Sequence, residues 1–275
     1  MMYDKDSLSQ VRCFLLDMDG TFYLGDQLLE GALRFIDVLR QQGREFLFLT
    51  NNSSKDSGQY AEKITRMGLS ISSEKVLTSG EATAMHIQSQ KPDARVYVVG
   101  TTALENEFIQ RGHVLTDETP DFAVLGFDTT LTYAKLWALC DLVRAGVPYI
   151  ATHPDYNCPT ETGFMPDIGA TIAYVKASTG REPDLVVGKP NSLLVEKAAE
   201  RVGIPVSAMC MIGDRLYTDI ALGKTAGIPT ILVLSGETQA DEVPLSPHQP
   251  SYIFQNLGAV ADYLSTSYLK NSMSL

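Results

Sequence analysis

Short apolar runs alternate with amphipathic stretches along most of this chain, and that alternation restricts the fold more than any other feature. The runs 11–17, 45–50 and 75–79 read as strands, and 30–43 and 56–68 between them read as helices. In 30–43, Ala32, Phe35, Ile36 and Leu39 share one face, and Gly43 stands where a helix would stop; Gly68 does the same for the next helix. The strands are apolar almost throughout, as expected when helices cover both faces of a parallel sheet. Such a rhythm calls for parallel pairing with right-handed crossovers.

A second series follows, with strands at 95–100, 121–127 and 147–152 and helices at 102–111 and 132–145. A loop, 153–169, then leads into a helix near 169–179. The first style resumes with strands at 184–190, 208–214 and 230–236 and helices at 191–202 and 217–226. The run 252–256 reads as an edge strand before a short terminal helix, with 270–275 expected to fray. The chain therefore reads as two α/β units. Residues 1–82 and 181–275 form a discontinuous core, and 83–180 form a smaller inserted unit.

The formal net charge of −11 argues against a nucleic acid polymer as partner, since phosphate backbones are held by clusters of Lys and Arg. No run of that kind occurs. No apolar run approaches the roughly 20 residues that cross a bilayer, and the N-terminus lacks the apolar segment of a secretion signal. The four cysteines include no CxxC pair, and Cys13 and Cys210 sit in apolar runs, as buried small hydrophobes do. Together these features point to a reducing cytoplasm.

Active sites of open parallel sheets lie at the carboxyl ends of strands. Four strand ends carry polar groups: Asp17 with Asp19, Thr50 with Asn51, Lys189, and Asp214. In extended backbone, residues two apart share a side, so Asp17 and Asp19 are expected to face one cavity while Met18 packs the other way. Two carboxylates so close are costly unless a cation sits between them, and a hard cation such as Mg²⁺ suits oxygen donors. Asp214 supplies a third oxygen donor, and Asp219 follows it at a helix start. Thr50, Asn51, Asn52 and Ser53 offer hydroxyl, amide and backbone donors suited to phosphate oxygens. Lys189, between Gly188 and Pro190, is either a surface charge or the partner of the carboxylates.

The segments LLDMDGTFYLGDQLLEGA, FLTNNSS, VVGKP and IGDRLYTDI, in this order, resemble the four motifs of the haloacid dehalogenase superfamily. They are most similar to its NagD-like, 4-nitrophenylphosphatase branch. The resemblance covers most of the chain. It implies a Rossmann-like parallel-sheet core with a large α/β cap inserted between the second and third motifs. It also implies a phosphatase with Mg²⁺ as cofactor. Asp17 would be the nucleophile that forms an aspartyl-phosphate. Asp19 would be the general acid and then the base. Asp17, the Asp19 backbone carbonyl and Asp214 would hold the metal. Thr50, Asn51 and Lys189 would orient the phosphate, and Asp219 would hold Lys189 or a metal-bound water.

In such a family the inserted unit chooses the leaving group. The loop 151–170 is the candidate specificity segment, with His153, Asp155, Tyr156 and Phe164 as candidate contacts. The expected partners are small phosphorylated metabolites of the nucleotide, sugar phosphate or pyridoxal phosphate type. A homodimer through the cap is a further expectation of the resemblance. Two alternatives stay open at this point: a non-catalytic binding module on the same fold, and phosphoryl transfer to a second substrate.

Overall fold

The structure, a computed structural model, describes residues 7–160 and 162–272. The expectation for the first residues of the chain lies outside the described residues; of 270–275, expected to fray, 270–272 continue the last helix and 273–275 lie outside the described residues. In chain order the first elements are β1 (Cys13–Leu16), β2 (Tyr23–Leu24), β3 (Gln27–Leu28), α1 (Ala32–Gln41), β4 (Glu45–Thr50), α2 (Ser57–Arg66) and β5 (Val76–Thr78). There follow α3 (Ser79–Gln90), β6 (Arg95–Val99), α4 (Thr102–Gln110), β7 (Val114–Leu115), β8 (Phe122–Leu125), α5 (Tyr133–Arg144) and β9 (Tyr149–Ala151). Then come β10 (Asn157–Thr160), β11 (Gly163–Pro166), α6 (Ile168–Thr179), β12 (Leu185–Val186) and α7 (Leu193–Val202). The last are β13 (Met209–Gly213), α8 (Ala221–Ala226), β14 (Thr230–Val233), β15 (Tyr252–Phe254) and α9 (Leu257–Ser272).

The chain divides into two compact units. One comprises residues 1–49, 61–76 and 189–275, the other 50–60 and 77–188. The sequence reading placed the breaks at 82/83 and 180/181. The difference has two causes. Helix α3, which the apolar pattern did not reveal, packs on α4 of the second unit. Strand β12 pairs with β9, and so the run 184–190 does not resume the first sheet as expected.

The first unit is built on a sheet of order β15-β14-β13-β1-β4-β5. Its pairs from β15 through β4 run parallel. All four side chains of β1 are buried, as are those of β13, which explains why both strands are apolar without alternation. Helix α1 buries Ala32, Phe35, Ile36, Val38 and Leu39, and Phe35 meets Phe14 of β1 edge to face at 5.8 Å. Cys13 and Cys210 are fully buried in this core.

The second unit carries a parallel sheet of order β12-β9-β8-β6-β7. Val99, Ala123, Leu125, Leu139, Val143, Tyr149 and Val175 form its core with α5 and α6. The segment 153–169, expected to be loop, contains an antiparallel hairpin, β10 to β11, with Pro159 opposite Phe164. Prolines in both strands hid it, because a proline cannot donate to a ladder and marks an edge strand at best.

Glu107, on α4, is a buried acid in this unit, and both its oxygens accept from the Thr78 hydroxyl, at 2.8 and 3.0 Å. Burial pushes its carboxyl well above the usual range, against the lowering bond from Thr78 and with Glu81 and Asp56 adding to the rise. A carboxyl raised on folding gives stability that is fully present below its unfolded value and is lost as pH climbs through the folded one. Glu107→Gln is therefore expected to leave stability unchanged at pH 4. At pH 8 it should gain roughly 1–3 kcal/mol, read by denaturant unfolding at both pH values.

Candidate active site

In the first unit, β1 and β13 lie side by side with Leu16 opposite Ile212, so Asp17 and Asp214 emerge at the same rim. From β1 the sheet extends one way to β4 and the other way to β13, which makes this rim a switch point where a crevice opens. The Asp17 amide donates to the Ile212 carbonyl at 2.9 Å and keeps the strand ends in register. After β13 the chain makes a wide five-residue turn, Leu216–Ile220, before α8. Wide turns of this kind occur often at functional sites. Here it turns Asp219 inward, where its Oδ2 accepts from the Arg215 amide at 3.1 Å.

One carboxylate oxygen each from Asp17, Asp214 and Asp219 lie within 4.8 Å of one another. Lys189 reaches this group from a different part of the chain. Its Nζ bonds Asp17 Oδ1, and it bonds Asp219 Oδ1 at 2.7 Å. The side chains of Lys189 and Asp219 are 4% and 0% exposed, and that of Asp17 is 15% exposed. Lys189 is thus the partner of the carboxylates and not a surface charge.

Asp214 is held from three sides. Its Oδ1 accepts from the Thr21 hydroxyl at 3.2 Å and its Oδ2 from the Glu237 amide at 2.7 Å. Gly20 and Gly236 pack so close that a Cβ on either would overlap its carboxylate. Gly20 also has φ +87°, a left-handed conformation that side chains disfavour. We expect Gly20→Ala to displace Asp214 and lower kcat/KM by about 100-fold in a steady-state assay.

Burial raises the Asp17 carboxyl well above its ordinary value; Lys189 lowers it, and Asp219 and Asp214 raise it further. Burial, with Asp219 beside it, pushes Asp214 up to about 6. Burial works against the Lys189 ammonium, but Asp17 and Asp219 outweigh it and the net shift is upward, so Lys189 is charged. With all groups ionised, three carboxylates against one ammonium leave two negative charges uncompensated. A divalent cation balances that remainder, and hard oxygen donors are what Mg²⁺ prefers. The residues present fit such an ion.

Asp19 stands apart from the trio. Strand β1 ends at Leu16, and Asp19 is exposed in the following turn, where it bridges backbone to Tyr23. Asp17 is grouped with Asp214 and Asp219, and Asp19 is exposed beside that group's strand end. Met18 is buried as expected. The residues that sequence reasoning left without roles are Thr21, Gly236 and Glu237, the last acting through its backbone amide. Only the small residues of the run LSG after β14 hinted at a close approach.

The other candidates lie in the second unit. Thr50 ends β4, and its hydroxyl accepts from the Asn52 amide at 3.1 Å. Asn51 Nδ2 donates to both oxygens of Asp155, at 3.1 and 3.2 Å. Ser53 is spent inside the unit on Thr152 and the Phe127 amide. His153 is fully buried, its ring nitrogens 3.6 Å from Asp155 and 3.5 Å from Asp167. It thus supports the loop from within and does not present itself to a ligand at the surface. Burial raises Asp167, the N-cap of α6, to about 7. Tyr156 and Phe164, at the hairpin, are exposed.

Residues 14–113 match the haloacid dehalogenase-like hydrolases, and residues 186–260 match a second, HAD-hydrolase-like family. An acid sugar phosphatase of Staphylococcus aureus is 38% identical over 257 residues, 93% of this chain and 99% of that one. The crystal structure of a 4-nitrophenylphosphatase from Thermotoga maritima is 48% identical with a TM-score of 0.90, covering 93% of this chain and 98% of its own. A glycerol phosphate phosphatase of Mycobacterium tuberculosis, solved with magnesium, is 33% identical with a TM-score of 0.85, covering 92% and 78%. On matches that span nearly its whole length, the chain belongs to the haloacid dehalogenase-like hydrolases, in their NagD-like phosphatase branch.

Proposed function

We propose that this chain hydrolyses small phosphate monoesters with Mg²⁺, through a phosphoryl group carried on Asp17. The observation that carries this reading is the meeting of Lys189 with Asp17 and Asp219 beside Asp214 at one rim of the core sheet. The relatives named above act on a sugar phosphate, 4-nitrophenyl phosphate and glycerol phosphate, which supports a small substrate without choosing one.

Asp17 attacks phosphorus with a carboxylate oxygen, and the P–O bond to the leaving alcohol breaks. Asp19 gives its proton to that alkoxide. It then takes one from the water that attacks phosphorus and frees Asp17. The exposed position of Asp19 suits a group that trades protons with solvent between these steps. Lys189 offsets charge on the phosphoryl oxygens, and Asp219 fixes its Nζ. Thr50 and Asn51 are the further donors the family resemblance assigns. Asp17, Asp214 and the Asp19 carbonyl would hold Mg²⁺, which supplies charge neutralisation to the transferring phosphoryl group.

The inserted unit is read as the specificity domain, with Tyr156 and Phe164 of its hairpin choosing the leaving group. Asp155 is read as anchoring Asn51, and His153 as supporting Asp155. The resemblance also supports a homodimer through this unit. The free thiols Cys13, Cys140, Cys158 and Cys210 support a cytoplasmic setting. Among the described residues no helix is long and apolar enough to cross a membrane.

The test is release of inorganic phosphate from 4-nitrophenyl phosphate, glycerol phosphate, sugar phosphates and nucleotides. Activity should rise saturably with Mg²⁺ and vanish after chelation. Turnover indifferent to chelation would refute the metal assignment, and failure across the whole panel would refute the substrate class.

A further inference from the structure

Glu237 holds Asp214 through its backbone amide, and its own side chain is held in turn. Both oxygens of the Glu237 carboxylate are engaged. Oε2 forms an ion pair with Arg215 Nε at 2.9 Å, and Oε1 accepts from the Tyr217 hydroxyl at 2.8 Å. Arg215 immediately precedes the wide turn after β13, and Tyr217 lies within it.

Arg215 also supports that turn with its main chain. Its amide donates to Asp219 Oδ2 at 3.1 Å, and its carbonyl accepts from the Asp219 and Ile220 amides at 3.1 and 3.2 Å. One residue thus reaches two acids of the site, Asp219 by its backbone and Asp214 by way of Glu237. Burial opposes the guanidinium charge, but Glu237 outweighs it, with Tyr217, Asp17 and Asp214 adding to the rise, so Arg215 is charged.

The side chains of Arg215 and Glu237 are 24% and 46% exposed, and an ion pair so placed contributes little to stability. What the pair does is restrict the segment after β14. That segment meets the site at three points. The Ser235 hydroxyl donates to the Gly20 carbonyl at 2.9 Å, the Glu237 amide to Asp214 Oδ2 at 2.7 Å, and the Thr238 amide to the Asp214 carbonyl at 3.2 Å. Gly236, packed against the Asp214 carboxylate, has no side chain with which to fix the segment. The Glu237 carboxylate supplies that anchor.

We propose that Arg215 and Tyr217 are positioning residues, which clamp the Glu237 carboxylate and so keep the 235–238 segment, and with it the Asp214 carboxylate, in place beside Asp17. The catalytic consequence rests on the phosphatase reading; the clamp itself does not.

Amide hydrogen exchange of the wild type, Arg215→Gln and Tyr217→Phe, without substrate or metal, reads the clamp directly. The amides of Glu237 and Thr238 should exchange about tenfold faster in each variant, while those of β1 and β13 keep their rates. With 4-nitrophenyl phosphate and saturating Mg²⁺, Arg215→Gln should lower kcat about tenfold and leave KM within about twofold, because it acts through Asp214 and not on the substrate. Arg215→Lys should recover part of the loss. Arg215→Gln and Glu237→Gln together should cost no more than the larger of the two alone, since both break the same pair. Tyr217 is 56% exposed, so Tyr217→Phe keeps the test open should Arg215→Gln fold poorly. Exchange at Glu237 and Thr238 that is unchanged in both variants overturns the proposal. So does faster exchange spread through β1 and β13, which is general loosening, or a kcat that stays at the wild-type value. A wild type silent on every phosphate ester is instead the failure of the phosphatase reading, and the exchange rates then decide the clamp alone.

Discussion

Asp17→Asn is expected to lower kcat by roughly 10⁴-fold or more with the fold intact. The amide keeps the shape of the carboxylate but cannot attack phosphorus, so the proposed route through a phosphorylated side chain closes. Stability should hold, because Lys189 keeps Asp219 at 2.7 Å and burial had already raised the Asp17 carboxyl. The substitution removes one buried negative charge from a group that has an excess of them. Two measurements check this: single-turnover phosphate release, and thermal unfolding without metal. The wild type quenched during turnover with labelled substrate should retain label on the protein, and the variant should not. A variant that turns over within tenfold of the wild type would remove Asp17 from the chemistry.

Lys189→Met is the second large effect, and here stability falls along with activity. The ammonium sits between Asp17 and Asp219 and is almost fully buried. Removing it leaves three carboxylates facing one another, and breaking a buried pair by deleting one partner costs roughly 3–5 kcal/mol. The relief available is protonation, so the variant should lose most stability at high pH and recover as pH falls. The sign follows from the direction of the shifts: carboxyls raised on folding destabilise the fold as pH rises past their unfolded values. Adding Asp219→Asn should return part of the loss, and a double-mutant cycle in denaturant measures the coupling. Activity should stay about 10³-fold down in both variants, since neither restores a cation to the phosphoryl oxygens. A loss in the double variant equal to the sum of the losses in Lys189→Met and Asp219→Asn alone would mean that Lys189 and Asp219 act independently.

These two substitutions also separate what each residue does. Asp17→Asn removes chemistry without removing the cluster, whereas Lys189→Met removes the charge that allows the cluster to be buried. Gly20→Ala tests a third element, the close packing that fixes Asp214. The Thr21 hydroxyl and the Glu237 amide hold the same carboxylate, and neither could have been assigned from a single stretch of sequence.

Local pattern determined a good deal of this protein. The apolar runs ending in Asp17, Thr50 and Asp214 are buried strands because helices cover both faces of a parallel sheet. The helix stops at Gly43 and Gly68 follow from left-handed backbone that glycine adopts most readily. Strand ends point to one rim whenever strands run parallel, so the acidic set is legible in the sequence. The tertiary structure decided what depends on partners far apart in the chain. Strand β12 chose β9 over the core sheet, since an apolar tripeptide fits either and only pairing selects. Asp19 stands outside the carboxylate trio because β1 ends three residues before it, and i, i+2 geometry holds only within a strand. His153 went inside, between two aspartates, because a histidine's exposure is set by the groups packed on it. What makes the site is a buried negative excess that one lysine only partly neutralises. Carboxylates stay ionised under such burial only with a cation at hand, and a folded chain alone could show that Lys189 is that cation.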